Sequence, residues 1–492
     1  MRSYKSLFII FLFLPSLLWA QEAITKSILN DKDSFYYINT KDYPEGEKSL
    51  PIGVFDSGIG GLTVLDAIVN FDGFNNESLA AGADGEIDFK KEEFIYLADQ
   101  ANMPYGNYSA ENKDALLLEH ILKDVQFILG NKYYTSPESQ TFSTDKSPIK
   151  ALVIACNTAT AYGKENIEAF MKLAELDIKV IGVIDAGVRG SLEKLEHDED
   201  ATIAVMATAG TVSSKGYVNT LYEQKDKLGY TGNIEVFQQG GVGIAEAVDE
   251  DSDYFDKELT EPRESYKGPD LKGNLKIDKA LMDIYNFDYD DFKMLCDTQA
   301  SDDCNILQIN DAENYVRYHL VSLMEKIRKA NVQQPLKSII LGCTHYPYLT
   351  REIDRVLNEL YNYREDDGSL RYRRFMTKDI DLIDPAVNTA LELFQHLKEE
   401  KLFNENGNIN NSEFYISVPN QNNPNIITNE KGDFPYEYKY GRSEGEIQEY
   451  VKVVPFSRRS ISADIFSRLE FQLPFTYNLI EKFIDNGTKI GR

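Results

Sequence analysis

Short apolar runs, each followed by small polar residues, recur along this chain of 492 residues. Runs of this length between turn residues are typical of buried strands, and a helical pattern follows most of them. Alternation of buried strands with helices is typical of parallel sheets. The pattern predicts strands at 52–55, 94–98, 151–155, 179–184, 202–206 and 336–341, and helices at 62–68, 113–129 and 162–176. It therefore predicts an α/β fold in which two similar lobes are each built on a parallel sheet.

Two of the predicted strands lead into a cysteine. Cys156 directly follows the strand at 151–155, and Cys343 follows the strand at 336–341 after one glycine. Because α/β proteins bind ligands beyond the carboxyl ends of their strands, we expect both thiols to face a ligand. A lone cysteine is more often a buried core thiol. Two cysteines in matching contexts, each followed by small polar residues, favour acid/base chemistry instead.

A glycine-rich turn, Asp-Ser-Gly-Ile-Gly-Gly, occupies residues 56–61. Between a strand and a helix, such a turn presents backbone amides that bind anions such as a carboxylate. A dinucleotide fingerprint is the alternative, but Thr63 replaces its last glycine. Two further polar segments follow strands, at 104–106 and 208–211, although their residues are also ordinary turn and helix-cap residues.

Taken in order, five segments resemble the signatures of glutamate racemase, a family of the aspartate/glutamate racemase superfamily. These segments are residues 56–61, 104–106, 155–158, 208–211 and 342–347. The resemblance covers residues 51–250 and 336–395. It implies two pseudo-symmetric parallel-sheet α/β lobes with the active site in the cleft between them. It also implies catalysis with no cofactor: no metal, pyridoxal or nucleotide acts in the active site.

The resemblance further implies a role for each site residue. Racemisation needs an acid/base group on each face of the substrate's α-carbon. Cys156, helped by Asp56, would serve the D form, and Cys343, helped by His345, would serve the L form. The other residues would bind substrate: Ser57, Pro104, Tyr105, Gly106, Asn157, Thr158, Thr208, Thr211, Thr344 and Glu246. The implied function is interconversion of L- and D-glutamate, supplying D-glutamate for peptidoglycan.

Several segments depart from the family pattern. Residues 237–241, Phe-Gln-Gln-Gly-Gly, stand where the family has a cysteine-proline segment. The alignment with the family is therefore loose at the following Glu246. We expect residues 250–330 and 400–492, which the family lacks, to pack around the lobes and to contribute no catalytic group. The predicted organisation is a signal peptide (1–20), an irregular N-terminal arm (21–50), lobe 1 (51–200 and 376–399), lobe 2 (201–375, with the acidic insertion at 246–335) and the extension (400–492).

The first twenty residues and the cysteine count bear on the compartment. Arg2 and Lys5 precede an apolar run that closes at Ala20, which is typical of a cleaved signal peptide. An uncleaved membrane anchor is the weaker alternative because a proline interrupts the run. The sequence therefore predicts an exported protein, periplasmic or secreted. Cys296 and Cys304 are candidates for a disulfide, which would leave Cys156 and Cys343 free.

A net charge of −28 argues against phosphate-mediated nucleic-acid binding and against docking on anionic membranes. The expected partner is a small amino-acid substrate, with no nucleic acid and no stable membrane insertion after signal cleavage; a homodimer stays open. Two alternatives to glutamate racemisation also stay open. One is a racemase or isomerase of the same superfamily that acts on aspartate or another acidic amino acid. The other is a non-catalytic periplasmic binding protein, which the retained Cys156, Cys343, Asp56 and His345 disfavour.

Overall fold

The computed structural model describes residues 14–298 and 304–490. Its strands are β1 (Ile52–Asp56), β2 (Phe94–Ala98), β3 (Ala151–Ile154), β4 (Lys179–Gly182), β5 (Ala201–Ala207), β6 (Ile234–Gly240), β7 (Met294–Cys296), β8 (Leu307–Ile309), β9 (Leu336–Gly342), β10 (Met376–Ile383), β11 (Glu413–Pro419) and β12 (Val451–Pro455). Its helices are α1 (Leu14–Leu29), α2 (Leu62–Val69), α3 (Gly106–Ala110), α4 (Asp114–Leu129), α5 (Asn157–Leu173), α6 (Val183–Leu192), α7 (Ala209–Ser214), α8 (Gly216–Lys227), α9 (Ile244–Val248), α10 (Met282–Tyr285), α11 (Ala312–Ala330), α12 (Thr350–Asn362), α13 (Pro385–Glu399), α14 (Tyr436–Gly441), α15 (Ala463–Gln472) and α16 (Pro474–Ile490).

The chain divides into two compact units. The first extends to Ala186 and resumes at Ala386, and the second is Gly187–Pro385. The first unit contains a six-stranded sheet in the order β12-β11-β2-β1-β3-β4, in which only β12 runs antiparallel to its neighbour. β1, β2 and β3 are buried along their whole length, which is why they read as continuous apolar runs.

The second unit repeats this arrangement on a smaller scale. Its main sheet has the order β10-β9-β5-β6 and is parallel throughout. The order β6-β5-β9-β10 thus corresponds, strand for strand, to β2-β1-β3-β4 of the first unit. The predicted α/β class with two similar parallel-sheet lobes is confirmed. We predicted that residues 376–399 belong to the first lobe; β10 pairs with β9 and keeps the chain in the second unit up to Pro385, and the chain returns to the first unit from Ala386.

The acidic run at 196–200, which we predicted to separate the lobes, lies inside the second unit. The N–H of Thr231 donates to the carbonyl of His197. The N–H of Asn233 donates to the Asp200 carboxylate over 2.7 Å. The run is therefore a turn fixed to its own unit, and the boundary falls earlier in the chain.

Two predicted elements have different boundaries in the structure. The strand predicted at 179–184 ends at Gly182, and its last two apolar residues begin α6; a short apolar run cannot by itself separate a strand from a buried helix. The helix predicted from residue 162 begins at Asn157 instead. The earlier start follows from capping, since the Cys156 sulfur accepts the Ala159 N–H at 3.4 Å.

The segment at 21–50, predicted as an irregular arm, contains the end of α1. Ile24 and Ile28 are fully buried in the core of the first unit, beside residues of α4. Their spacing of four residues places them on one face of the helix. Residues 1–13, most of the predicted signal peptide, lie outside the described residues. Among the helices that the structure describes, none is long and apolar enough to cross a membrane.

The predicted insertion at 246–335 is shorter than expected. Its last part forms α11, whose Tyr315, Leu320 and Leu323 are fully buried in the core of the second unit. Before α11, the polar segment includes the antiparallel pair β7 and β8. Cys296 and Cys304 form a disulfide there, and Cys156 and Cys343 are free. The predicted pairing is therefore confirmed.

The C-terminal extension belongs to the core of the first unit. β11 pairs with β2, so the extension widens the main sheet by two strands. Phe414 of β11 is fully buried and contacts Tyr96 and Phe456, with ring centroids 6.4 and 6.0 Å apart. Sequence analysis placed the extension outside the predicted lobes because the family resemblance ends before it.

We expect Phe414→Ala to lower the free energy of unfolding by about 3–5 kcal/mol, because it opens a cavity at the centre of the widened sheet. Phe471→Ala is the matched control, since Phe471 lies in the same extension but is 89% exposed; its effect should stay within about 0.5 kcal/mol. Chemical denaturation followed by circular dichroism measures both. Equal small losses would contradict the core role of the extension.

Candidate active site

Asp56 is the last residue of β1, and its carboxylate turns back onto the following loop. Oδ2 accepts the N–H groups of Gly61 at 2.8 Å and Gly58 at 3.2 Å. A Cβ at position 61 would lie 2.4 Å from the Asp56 Cβ, so this close approach requires glycine. The hydroxyl of Tyr96 donates to the Gly58 carbonyl over 2.7 Å and thereby fixes the turn. The carboxylate is thereby held at the start of α2.

Cys156 lies next to Asp56 because β3 is the neighbour of β1. Phe55 pairs with Ile154, which places the residues after both strands side by side. The thiol hydrogen-bonds the Asp56 carboxylate, and its sulfur lies 3.6 Å from the Ser57 Oγ. Burial, together with the Asp56 charge, raises the pKa of Cys156 from 9.0 to about 12. Burial also raises the pKa of Asp56. At neutral pH the Cys156 thiol is therefore protonated, and it lies beside the Asp56 carboxyl group.

Cys343 has the opposite kind of partner. Its sulfur lies 3.7 Å from the Nδ1 of His345, whose Nε2 lies 3.2 Å from the Asp249 Oδ1. Burial alone would lower the pKa of His345, but its hydrogen bonds to Asp249 and Cys343 outweigh burial and raise the pKa from 6.5 to about 10. The imidazole is therefore a cation at neutral pH. A cationic donor next to a sulfur stabilises the thiolate.

Asp249 is the residue that sequence analysis missed. It directly follows α9, whereas Glu246 was chosen from the same segment as a substrate-binding residue. The Glu246 Oε2 instead accepts the Gly243 N–H at 2.9 Å and closes the first turn of α9. One feature of the sequence points to Asp249: it is a second acid, three residues after Glu246, and therefore lies on the same face of the helix. Asp249 falls within the predicted insertion at 246–335, but just before residues 250–330, which we expect to contribute no catalytic group; that expectation stays a prediction.

The other predicted residues of the first unit fall into two groups. Asn157 and Thr158 are half-buried in the first turn of α5, directly after Cys156. Gly106 is half-buried at the start of α3, and Pro104 is exposed. Tyr105 is buried, and its hydroxyl contacts two aspartates below the loop. The Tyr105 hydroxyl is therefore engaged within the first unit, and the expectation that Tyr105 binds substrate stays a prediction.

In the second unit, the predicted threonines lie at the ends of adjacent strands. Ala207 pairs with Gly342, so Thr208 follows β5 beside the residues that follow β9. The Thr208 Oγ1 accepts the Thr211 N–H at 3.3 Å and caps α7. The Thr344 Oγ1 lies 3.4 Å from the Nδ1 of His345. The capping role considered for Thr208 is thus present in the structure.

Comparison with known proteins identifies the family. No family model matches the chain. It is 26% identical to the glutamate racemase of Aquifex pyrophilus over 341 residues, which cover 67% of this chain and 89% of that protein. It is 30% identical to the glutamate racemase of Campylobacter jejuni over 221 residues, which cover 43% of this chain and 69% of that protein. The chain belongs to the glutamate racemase family.

A crystal structure of a glutamate racemase from Bacillus anthracis is 22% identical to this chain. The match covers 75% of this chain and 88% of that protein, with a TM-score of 0.42. As a member of this family, the protein is an amino-acid racemase, an isomerase.

Within the glutamate racemase family, this chain departs from the expected pattern at the end of β6, and a buried histidine contacts the altered segment. Gln239 donates an amide N–H to the Nδ1 of His319 over 2.9 Å, and the His319 Nε2–H donates to the Val242 carbonyl over 2.9 Å. Burial lowers the pKa of His319 to about 4, so the ring is neutral and can accept and donate in this way. The hydroxyl of Tyr346 donates to the Gly241 carbonyl over 3.2 Å. The segment is therefore rigidly fixed without a cysteine.

We expect Asp249→Asn to lower the pKa of His345 from about 10 towards its ordinary value, since the charged acceptor is removed. A histidine whose pKa is raised by folding stabilises the protein fully below pH 6.5, and this stabilisation is lost as the pH rises through about 10. The stability difference between wild type and variant should therefore shrink over that range. NMR titration of the ring and denaturation at several pH values measure both effects.

Asp251→Asn is the control, because Asp251 is an exposed acid two residues further along the same segment. It should leave the His345 titration unchanged. A wild-type His345 that titrates near 6.5 would contradict the pairing with Asp249.

Proposed function

We propose that this protein interconverts L- and D-glutamate without a cofactor, using Cys156 and Cys343 as its two acid/base groups. The single observation that carries the proposal is the opposite electrostatic setting of the two thiols. Cys156 lies beside a carboxylate and Cys343 lies beside a cationic imidazole. Removal of a proton from one face and return of a proton to the other requires one base and one acid at the same time. The two settings favour such a pair, one thiolate and one thiol.

In the proposed reaction from L to D, the Cys343 thiolate removes the α-proton, and an S–H bond replaces the C–H bond. The electron pair left on the α-carbon then takes the proton from the Cys156 thiol, which becomes a thiolate. The protein now holds the reversed pair, which is the form needed for the D-to-L direction. Asp56 and His345 act by stabilising the proton on one sulfur and the negative charge on the other.

Small polar residues beside each thiol are the proposed ligands of the substrate's carboxylate and ammonium groups. Asn157 and Thr158 follow Cys156, and Thr344 follows Cys343. Ser57, Thr208 and Thr211 lie at the ends of the neighbouring strands. Glutamate is the proposed substrate because the relatives named above are glutamate racemases. Supply of D-glutamate for peptidoglycan is the corresponding proposed role.

The mechanism predicts that Cys156→Ser and Cys343→Ser each lose racemisation by at least about three orders of magnitude, because a serine hydroxyl is a far weaker base than a thiolate. In heavy water, the wild type should release product that carries solvent deuterium at the α-carbon. With a β-substituted analogue, each mutant should retain elimination from one enantiomer only, the D form for Cys343→Ser and the L form for Cys156→Ser. Chiral chromatography and mass spectrometry measure these outcomes for glutamate and aspartate.

Joint replacement of Cys296 and Cys304 by serine is the control and should leave the chemical step nearly unchanged. Mutants of Cys156 and Cys343 with the same enantiomer preference would contradict the assignment, as would a requirement for added metal or pyridoxal phosphate. Turnover of aspartate alone would favour the alternative substrate. Binding of glutamate without turnover by the wild type would favour a binding protein.

We also propose that the protein is exported and that its signal peptide is cleaved after Ala20. The Cys296–Cys304 disulfide supports this proposal, since disulfides persist in oxidising compartments. Such a cleavage would keep the part of α1 that carries the buried Ile24 and Ile28.

We expect N-terminal sequencing of the protein isolated from its native cells to begin near Gln21, in material from outside the cytoplasm. Mass analysis after thiol alkylation should label Cys156 and Cys343 but not Cys296 and Cys304. A cytosolic pool that retains the residues before 7 would contradict export.

A further inference from the structure

We propose that the C-terminal extension positions the loop that follows β2. This loop, residues 99–106, is called the β2 loop below; it carries Pro104, Tyr105 and Gly106, which the family resemblance assigns to substrate binding. The inference deepens the proposed racemase function and rests on it. The positioning residues are Ser417, Lys439, Tyr440 and Arg442. They lie beyond residue 395, where the resemblance ends, so this contact surface is an addition of this chain.

The first contact comes from β11. Because β11 pairs in parallel with β2, with Ile416 opposite Ala98, the next residue lies beside the start of the β2 loop. The Ser417 Oγ donates to the Asp99 Oδ1 over 2.6 Å and accepts the Ala101 N–H at 3.0 Å. Ser417 is 2% exposed. A single buried hydroxyl therefore fixes both a side chain and the backbone of the loop.

The second contact comes from α14 and acts on the middle of the loop. The Lys439 ammonium donates to the Met103 carbonyl. The Tyr440 hydroxyl donates to the Pro104 carbonyl over 3.2 Å. Both acceptors are backbone atoms immediately before the Tyr105-Gly106 pair. These contacts fix the course of the main chain, which a substrate-binding loop needs in order to present its groups at fixed positions.

The third contact is a buried guanidinium. The Arg442 Nη2 donates to the Asn102 Oδ1 over 2.7 Å, and the Asn102 amide donates to both Asp99 carboxylate oxygens, over 3.0 and 2.9 Å. The Arg442 side chain lies over the rings of Tyr450 and Phe434, 5.1 and 4.9 Å from their centroids. Burial of a charge is costly unless it is paired and bonded, and aromatic faces offset part of that cost. The extension thus places the Arg442 guanidinium next to Asn102 of the β2 loop.

These contacts also fix the position of the Tyr105 hydroxyl. Its hydroxyl lies 2.6 Å from one carboxylate oxygen of each of two residues, Asp99 and Asp124. A phenol has one proton, so it donates to one carboxylate and accepts from the other group. Burial, reinforced by the Asp99 charge, raises the pKa of Asp124 well above its ordinary value, which favours Asp124 over Asp99 as the partner that carries a proton. Asp99 accepts from Tyr105, Asn102 and Ser417 and thereby connects the ring to the extension.

The loop also contacts the turn that holds the catalytic aspartate. The sulfur of Met103 lies against Gly58, so closely that a Cβ at position 58 would lie 2.5 Å from it. The Gly58 N–H is one of the two donors to the Asp56 carboxylate. The chain of contacts therefore runs from Lys439 through Met103 to the turn that orients Asp56. Loss of these contacts should weaken substrate binding first and affect the Cys156 half of the site more than the Cys343 half.

The test uses substitutions that remove a hydrogen bond and keep the packing. Tyr440→Phe together with Lys439→Met should raise KM for glutamate about tenfold, the effect expected from losing two modest hydrogen bonds. The kcat should change less than about twofold, and the melting temperature should stay within about 3 °C of wild type. Hydrogen exchange of the backbone at 99–106 should become faster. Lys439→Arg, which keeps a donor, should restore KM when combined with wild-type Tyr440.

Tyr436→Phe is the matched control, because Tyr436 lies on the same helix and its hydroxyl donates to Glu111 on an exposed surface. It should change neither KM nor exchange at 99–106. Faster exchange with an unchanged KM would overturn the positioning role, and so would unchanged exchange. Hydrogen exchange does not require turnover, so a wild type that fails to racemise glutamate would refute the proposed function while this measurement still decides whether the extension holds the loop.

Discussion

The reversal of strand order beside β1, and again beside β5, is the constraint on which the positions of both free cysteines depend. In each sheet the second strand lies on one side of the first, and the next strand crosses to the other side. The loops after the two flanking strands therefore diverge and leave a crevice at the carboxyl end of the first strand. Asp56 with Cys156 occupies this position in one unit, and Thr208 with Cys343 occupies it in the other. Strand pairing, rather than local sequence, brings these side chains together.

Within this common topology the two halves differ in charge. The Asp56 charge beside Cys156 disfavours a second negative charge, whereas the His345 imidazole beside Cys343, hydrogen-bonded to Asp249, is cationic. The two thiols thus lie beside neighbours of different charge. A symmetric fold with asymmetric partners is suited to a reaction whose forward and reverse directions exchange the roles of acid and base.

The segments that the family pattern does not contain are integrated into the fold. The extension continues the first sheet through β11 and fills part of its core. The predicted acidic insertion, residues 246–335, includes Asp249, which contacts His345. An open sheet edge offers unpaired backbone groups with which an added strand can pair.

The sequence alone predicted the α/β class, most strand positions, and the pairing of Cys156 with Asp56 and of Cys343 with His345, which the structure places next to each other. These features depend on local signals: apolar runs, glycine turns and the order of motifs along the chain. Tertiary structure decided what depends on residues distant in sequence. It decided that Asp249 contacts His345, that the Tyr105 hydroxyl faces two aspartates, and that β11 pairs with β2. Which groups hydrogen-bond and which strands pair at a sheet edge depends on which segments lie close together after folding. Contacts between segments that are distant in the sequence produce no periodic pattern of apolar and polar residues.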